Sequence, residues 1–144
     1  MQIPFNLIVL KVFHAQKNKV RPLMNAVGLS PGQPKVLTFL ALHGECLQKE
    51  LAASCDIEPA TISKLLNNLE ENGLITRTGQ EDDRRAIMIA LTARGRTLFE
   101  TEVEPRFARV NATSLAGFTE EEKRQFEHYL LRMYQNLTRT TLEF

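Results

Sequence analysis

The amino-acid sequence predicts a mainly α fold: a winged helix-turn-helix with a small α/β wing, flanked by long terminal helices that form an all-α dimerisation domain. Three observations lead there. Between Pro59 and Leu91 an amphipathic helix is followed by a glycine stop and then by two short strands, which is the order of a winged helix. The turn joining those strands carries Asp82-Asp83-Arg84-Arg85. Both chain ends carry helices with broad apolar stripes that a small three-helix reader cannot cover, and a second copy of the chain is the simplest way to bury them.

The elements follow in order. Phe5, Ile8, Val9, Val12, Phe13 and Val20 recur at three- and four-residue steps, predicting a long first helix that starts beside Pro4. Pro22 is expected to kink or end it, and Gly28 to mark the stop. Ser30-Pro31 reads as a cap and a first-turn proline, leading into Val36, Leu37, Leu40 and Ala41 on one face. Pro34 deletes a further first-turn hydrogen bond and moves the regular start later than Ser30 suggests, while His43-Gly44 closes the helix. Glu45-Cys46-Leu47 suffices only for a bridging strand, and Gln48 to Cys55 reads as a short helix with Leu51 and Ala52 inward.

The next helix has Pro59 at its first position. Its apolar stripe is Ile62, Leu65, Leu66 and Leu69, which leaves Ala60, Thr61, Ser63, Lys64, Asn67 and Asn68 outward or on the flanks. With the short helix before it, this is a helix-turn-helix pattern. Asn72-Gly73 supplies a left-handed stop, and Leu74 to Thr78 is expected to pair with Ala86 to Leu91. Thr92 caps a further helix with Leu98, Phe99, Val103, Phe107 and Val110 on its stripe, where Pro105 is expected to introduce a bend. Thr119-Glu120-Glu121-Glu122 is a capping box that opens a last helix, with Phe126, Tyr129, Leu130, Met133, Tyr134 and Leu137 on one side. Residues 1–28 and 96–144 are thus expected to form the helical dimerisation region and 29–95 the winged helix-turn-helix, as one intertwined unit.

Composition excludes several classes. At 144 residues, 43% hydrophobic and 24% charged, the chain can bury one ordinary core, which removes disordered and fibrous readings. No apolar run approaches the roughly 18 residues of a membrane span, and the opening MQIPFNLIVLKVF lacks a basic start and a small-residue cleavage site, so a cytoplasmic protein is expected. Cys46 and Cys55 form no CxxC, and His14, His43 and His128 have no partner at ligand spacing, so no metal and no cofactor are expected. Nor is an enzyme: there is no phosphate-binding glycine loop, no HExxH and no nucleophile elbow.

Double-stranded DNA is the partner this pattern suggests. A helix of this kind fits a major groove while an arginine-tipped hairpin reaches the neighbouring minor groove. The formal charge is only +1, and it is uneven: residues 1–47 hold five basic side chains against one acidic, 48–96 seven against eight, and 97–144 six against eight. A phosphate footprint must therefore come from placed side chains and not from bulk charge. Thr61, Ser63 and Lys64 suit base edges and phosphates, and Asn67 suits a bidentate contact with adenine, with Ala60 and Asn68 beside them. In the wing, Arg84 or Arg85 would enter a narrow minor groove while Asp83 holds its neighbour by a charge-assisted hydrogen bond. Lys19, Arg21, Ser30, Lys35 and Lys49 are candidate phosphate contacts. A winged-helix module that binds protein and not DNA is the alternative.

Three segments, LSPGQPKVLTFL, QKELAASCDIEPATISKLLNNLEENGLITR and EDDRRAIMIALTARG, resemble the second helix, the reader with its wing, and the start of the fifth helix of the multiple antibiotic resistance regulators, the MarR family. The resemblance covers roughly residues 5–140, and its most specific elements are Asp83-Arg84-Arg85-Ala86 followed by Leu91-Thr92 and Gly95. It implies a homodimeric transcription factor, usually a repressor, on a near-palindromic operator, often released by a small phenolic or lipophilic ligand or by thiol oxidation. Asp83 and Arg85 match the family's Asp-x-Arg pair. An effector pocket is implied where the terminal helices meet the reader, near Val12, Phe13, Gln16, Gln33 and Leu37.

Overall fold

In the computed structural model, residues 1–80 and 83–143 are described, apart from the side chains of 80 and 83–85. Helix α1 runs Phe5–Asn25 and is not ended by Pro22. The proline forfeits one bond, to the carbonyl of residue 18, within the last turn and a half. Its own carbonyl accepts from Ala26 N–H at 3.1 Å, so the path closes normally before Gly28 turns the chain at φ +78°.

Helix α2, Gln33–His43, begins past both Ser30 and Pro31, with Gly32 in the N-cap place and Pro34 in the first turn, where its missing N–H does no harm. The local cap is the reverse of a serine cap: Ser30 N–H donates to Gln33 Oε1 at 2.9 Å. Strand β1 (Cys46–Leu47) leads directly into α3 (Gln48–Ser54), which buries Leu51 and Ala52. Helix α4, Pro59–Glu71, buries Ile62, Leu66 and Leu69 and stops at Gly73 in the left-handed region.

Strands β2 (Ile75–Gln80) and β3 (Asp83–Leu91) pair antiparallel, with Ile75 opposite Leu91 and Gly79 opposite Ile87, and β1 lies on the far side of β3. The ladder extends beyond the expected Leu74–Thr78 and Ala86–Leu91. A register shift between Gly79 and Gln80 lets pairing continue to Gln80 opposite Asp83, an irregularity that glycine accommodates easily.

Thr92 does cap the next helix: its Oγ1 accepts from Gly95 N–H at 3.0 Å and donates to the Gly73 carbonyl at 2.6 Å. Helix α5 (Ala93–Leu98) passes through a π turn (Phe99–Val103) into α6 (Glu104–Ser114). Pro105 has no N–H to give the Thr101 carbonyl. The helix meets that defect by widening just before it, with Glu104 N–H reaching back to Phe99 O, and this turn keeps Phe99 and Val103 both inward. Helix α7, Glu120–Thr138, opens with the complete capping box: Glu122 N–H to Thr119 Oγ1 at 3.1 Å and Thr119 N–H to Glu122 Oε1 at 3.0 Å.

Two compact units result, Met1–Val110 and Asn111–Phe144, so the division falls inside α6 and α1 belongs with the reader. The core lies in the first unit. Leu37, Leu40, Leu51, Ile62, Leu66, Leu69, Ile75 and Ile89 are shut off from solvent there, each worth about 1.5–3 kcal/mol of apolar burial. In the same unit the α1 stripe is open, with Phe5 67%, Val12 53% and Phe13 55% exposed. The second unit buries no side chain of α7, and Tyr129 and Leu130 stand 56% and 50% exposed. No helix among the described residues is long and apolar enough to cross a membrane.

Candidate nucleic-acid interface

Because the stripe of α4 faces the core, its opposite side is forced outward. Ala60, Thr61, Lys64, Asn67 and Asn68 are exposed and Ser63 is half-buried. Exposure alone does not leave their polar atoms available. The Ser63 hydroxyl donates to the Pro59 carbonyl and accepts from Gln48 Nε2, both at 3.2 Å, which ties the reader to the first turn of α3. Asn68 is turned toward α2: its Oδ1 accepts from Gln33 Nε2 at 2.9 Å and from Asn72 Nδ2 at 3.1 Å. Asn67 Oδ1 accepts from an Arg77 guanidinium nitrogen at 2.6 Å, which uses one of the two acceptor sites of its amide oxygen within the protein.

Arg77 was not among the residues the sequence singled out, and neither was Glu70, its counter-ion at 3.0 Å. Glu70 Oε2 also accepts the Arg77 backbone N–H at 3.2 Å. The side-chain hydrogen bond from Arg77, with its charge, holds the Glu70 carboxyl below its ordinary value. Strand alternation was the available signal: Ile75 turns inward, and Arg77, two residues on, is flanked by exposed Thr76 and Thr78 beside the last turn of the reader.

The wing's backbone from Asp83 onward is in β3, alongside β2. The side chains of Asp83, Arg84 and Arg85, and the whole of Glu81 and Asp82, lie outside the described residues. Lys19 and Arg21 on α1, Ser30 in the turn after it, Lys35 on α2 and Lys49 on α3 are all exposed, spread over four elements.

Of the five residues suggested for an effector pocket, two are enclosed and three are open to solvent. Gln33 and Leu37 are core residues at 1% and 0% exposure, while Val12, Phe13 and Gln16 lie in the open on α1. Gln33 is buried because it caps the turn before α2 and grips α4, two structural tasks that require enclosure. A cleft of about 530 Å³ opens elsewhere, between the turn after α1, the end of α4 and α5, where Leu29, Leu74 and Leu98 meet Asn68, Asn72 and Arg94. Both thiols are buried. Burial pushes each up to about 11, with Glu50 adding to the rise at Cys46, and Lys35 partly offsetting it at Cys55.

A two-helix reader whose second helix is open to solvent, followed by a β hairpin, defines a winged helix-turn-helix protein. The model of the MarR family matches residues 27–86. The repressor MdtR of Bacillus subtilis is 34% identical over 112 residues, which span 78% of this chain and 72% of that protein. Among solved structures, the transcriptional regulator PA3341 is 32% identical with a TM-score of 0.83, covering 95% of this chain and 100% of that one. The S. aureus MepR-DNA complex is 26% identical with a TM-score of 0.81, over 94% of this chain and 99% of that one. The chain belongs to the MarR family of transcriptional regulators.

Proposed function

We propose that this chain is a repressor that binds a near-palindromic DNA operator as a homodimer. The carrying observation is the outward polar face of α4, with Thr61 and Lys64 near its amino end, beside the β2–β3 hairpin. Support comes from MdtR, named as a repressor, and from MepR, whose solved structure holds DNA. Two reader helices related by a two-fold axis enter successive major grooves when about one helical turn, roughly 34–36 Å, separates them. The exposed apolar stripes of α1 and α7 supply surface for that pairing.

Release is by a small lipophilic or phenolic ligand in this reading. Thiol oxidation is disfavoured by two buried cysteines whose thiols are held almost fully protonated. Selection of binding sites from random duplexes with the purified protein tests the reading. Enrichment of a two-fold-symmetric sequence supports it. Absence of any enrichment, with the protein folded, refutes it in favour of a protein-interaction module.

A further inference from the structure

A carboxylate fastens the β2–β3 hairpin to the reader helix. Strand β2 is an outer strand of the sheet, so the Arg77 N–H on its open side has no neighbouring strand to bond. Glu70, in the last turn of α4, takes it: Oε2 accepts Arg77 N–H at 3.2 Å, while Oε1 accepts from the Arg77 guanidinium at 3.0 Å. The same guanidinium nitrogen reaches Asn67 Oδ1 at 2.6 Å, about one turn back along α4. Main chain and side chain of one strand residue are thus both clamped to the reader, and the Arg77 side chain is only 22% exposed. The placing of Glu70 runs against simple electrostatics. It stands exposed three residues beyond Asn67, where an anionic group repels a phosphate backbone.

We propose, resting on the DNA-reading role of α4 and the hairpin, that Glu70 and Arg77 are positioning residues that hold wing and reader at one fixed angle, so that both enter their grooves together. Neither needs to touch DNA for this. Without the clamp the hairpin has to be ordered at the moment of binding, which costs affinity for an operator that engages both elements. Random DNA, held through its phosphates, demands no such registration and incurs no such cost.

Glu70→Ala separates this role from charge, with affinity measured on the duplex that wild type selects from a random pool and on a scrambled duplex. If Glu70 is only a solvated acid, removing it tightens binding to both. The clamp predicts the opposite sign on the selected site, roughly tenfold weaker binding, with the scrambled duplex bound as well as before or better. Combining Glu70→Ala with Arg77→Met is expected to be no weaker than Arg77→Met alone, since one clamp is broken in both. In an Arg85→Ala background the Glu70→Ala loss is expected to shrink, because the wing then has less contact to position. Glu70→Gln, which keeps one acceptor, serves the same comparison with a smaller loss should Glu70→Ala fail to fold. Binding of the selected site as tight as wild type or tighter, an equal loss on both duplexes, or an undiminished loss in the Arg85→Ala background overturns the proposal. No enriched sequence for wild type would instead overturn the DNA-reading role, a distinguishable result.

Discussion

Gln33 donates its side-chain amide to Asn68 across 2.9 Å, and through this bond helix α2 holds the reader helix from the flank. The same side chain, 1% exposed, accepts Ser30 N–H at 2.9 Å. Gln33→Leu should therefore leave the Ser30 N–H without its partner and Asn68 Oδ1 with Asn72 alone, and destabilise the fold by about 1–3 kcal/mol, read as a lower urea midpoint at unchanged slope. Wild-type stability in that variant would mean the two bonds contribute nothing net.

Gly95→Ala should be worse. A Cβ there would stand 2.0 Å from the Leu74 carbonyl oxygen and 3.0 Å from its carbon, so the start of α5 and the base of the wing would have to separate. A loss of about 3 kcal/mol is expected in thermal unfolding. Gly79→Ala is the control, since an added Cβ meets nothing within 4 Å, and it should change little.

These two residues also show where sequence reading stops. The stripe Ile62, Leu66, Leu69, the cap at Thr92, the capping box at Thr119 and the left-handed stop at Gly73 are local signals, each carried by residues within a turn or two, and each stands as expected. Gln33 to Asn68, Gly95 to Leu74 and Arg77 to Asn67 are contacts made by the fold, invisible to periodicity. Pro22, which does not end its helix, and Pro105 are legible only in part for a related reason. A proline's cost depends on what its neighbours do with the orphaned carbonyl, and here the helix carried through at Pro22 and widened into a π turn before Pro105.

Cys46 and Cys55 should behave as small core hydrophobes. With thiols near 11, the thiolate fraction at neutral pH is on the order of 10⁻⁴, so alkylation of the native protein should be far slower than of the unfolded chain. DNA binding should survive peroxide treatment. Loss of binding that a reductant restores would return thiol oxidation to the account.

The Arg77–Glu70 clamp should be insensitive to pH near neutrality and fail in acid. Arg77 holds the folded-state carboxyl below its ordinary 4.5, so its contribution is complete above that value and is lost as pH falls through the lower folded value. Glu70→Gln should accordingly be somewhat less stable than wild type at pH 7 and show a flatter acid limb below about pH 4.5, so that the two proteins converge in acid. An identical acid limb in wild type and variant would mean the clamp adds no stability.

The central claim, a symmetric reader made from two copies of a 16.4 kDa chain, is tested most directly by one titration. Protein is added to a duplex carrying the selected two-fold-symmetric site and to the same duplex with one half scrambled, and affinity and stoichiometry are read together by sedimentation. Two chains per intact duplex, with at least a hundredfold weaker binding once a half-site is lost, is the predicted result on the usual penalty per mismatched base pair. One chain per duplex, or equal binding to both, would contradict it.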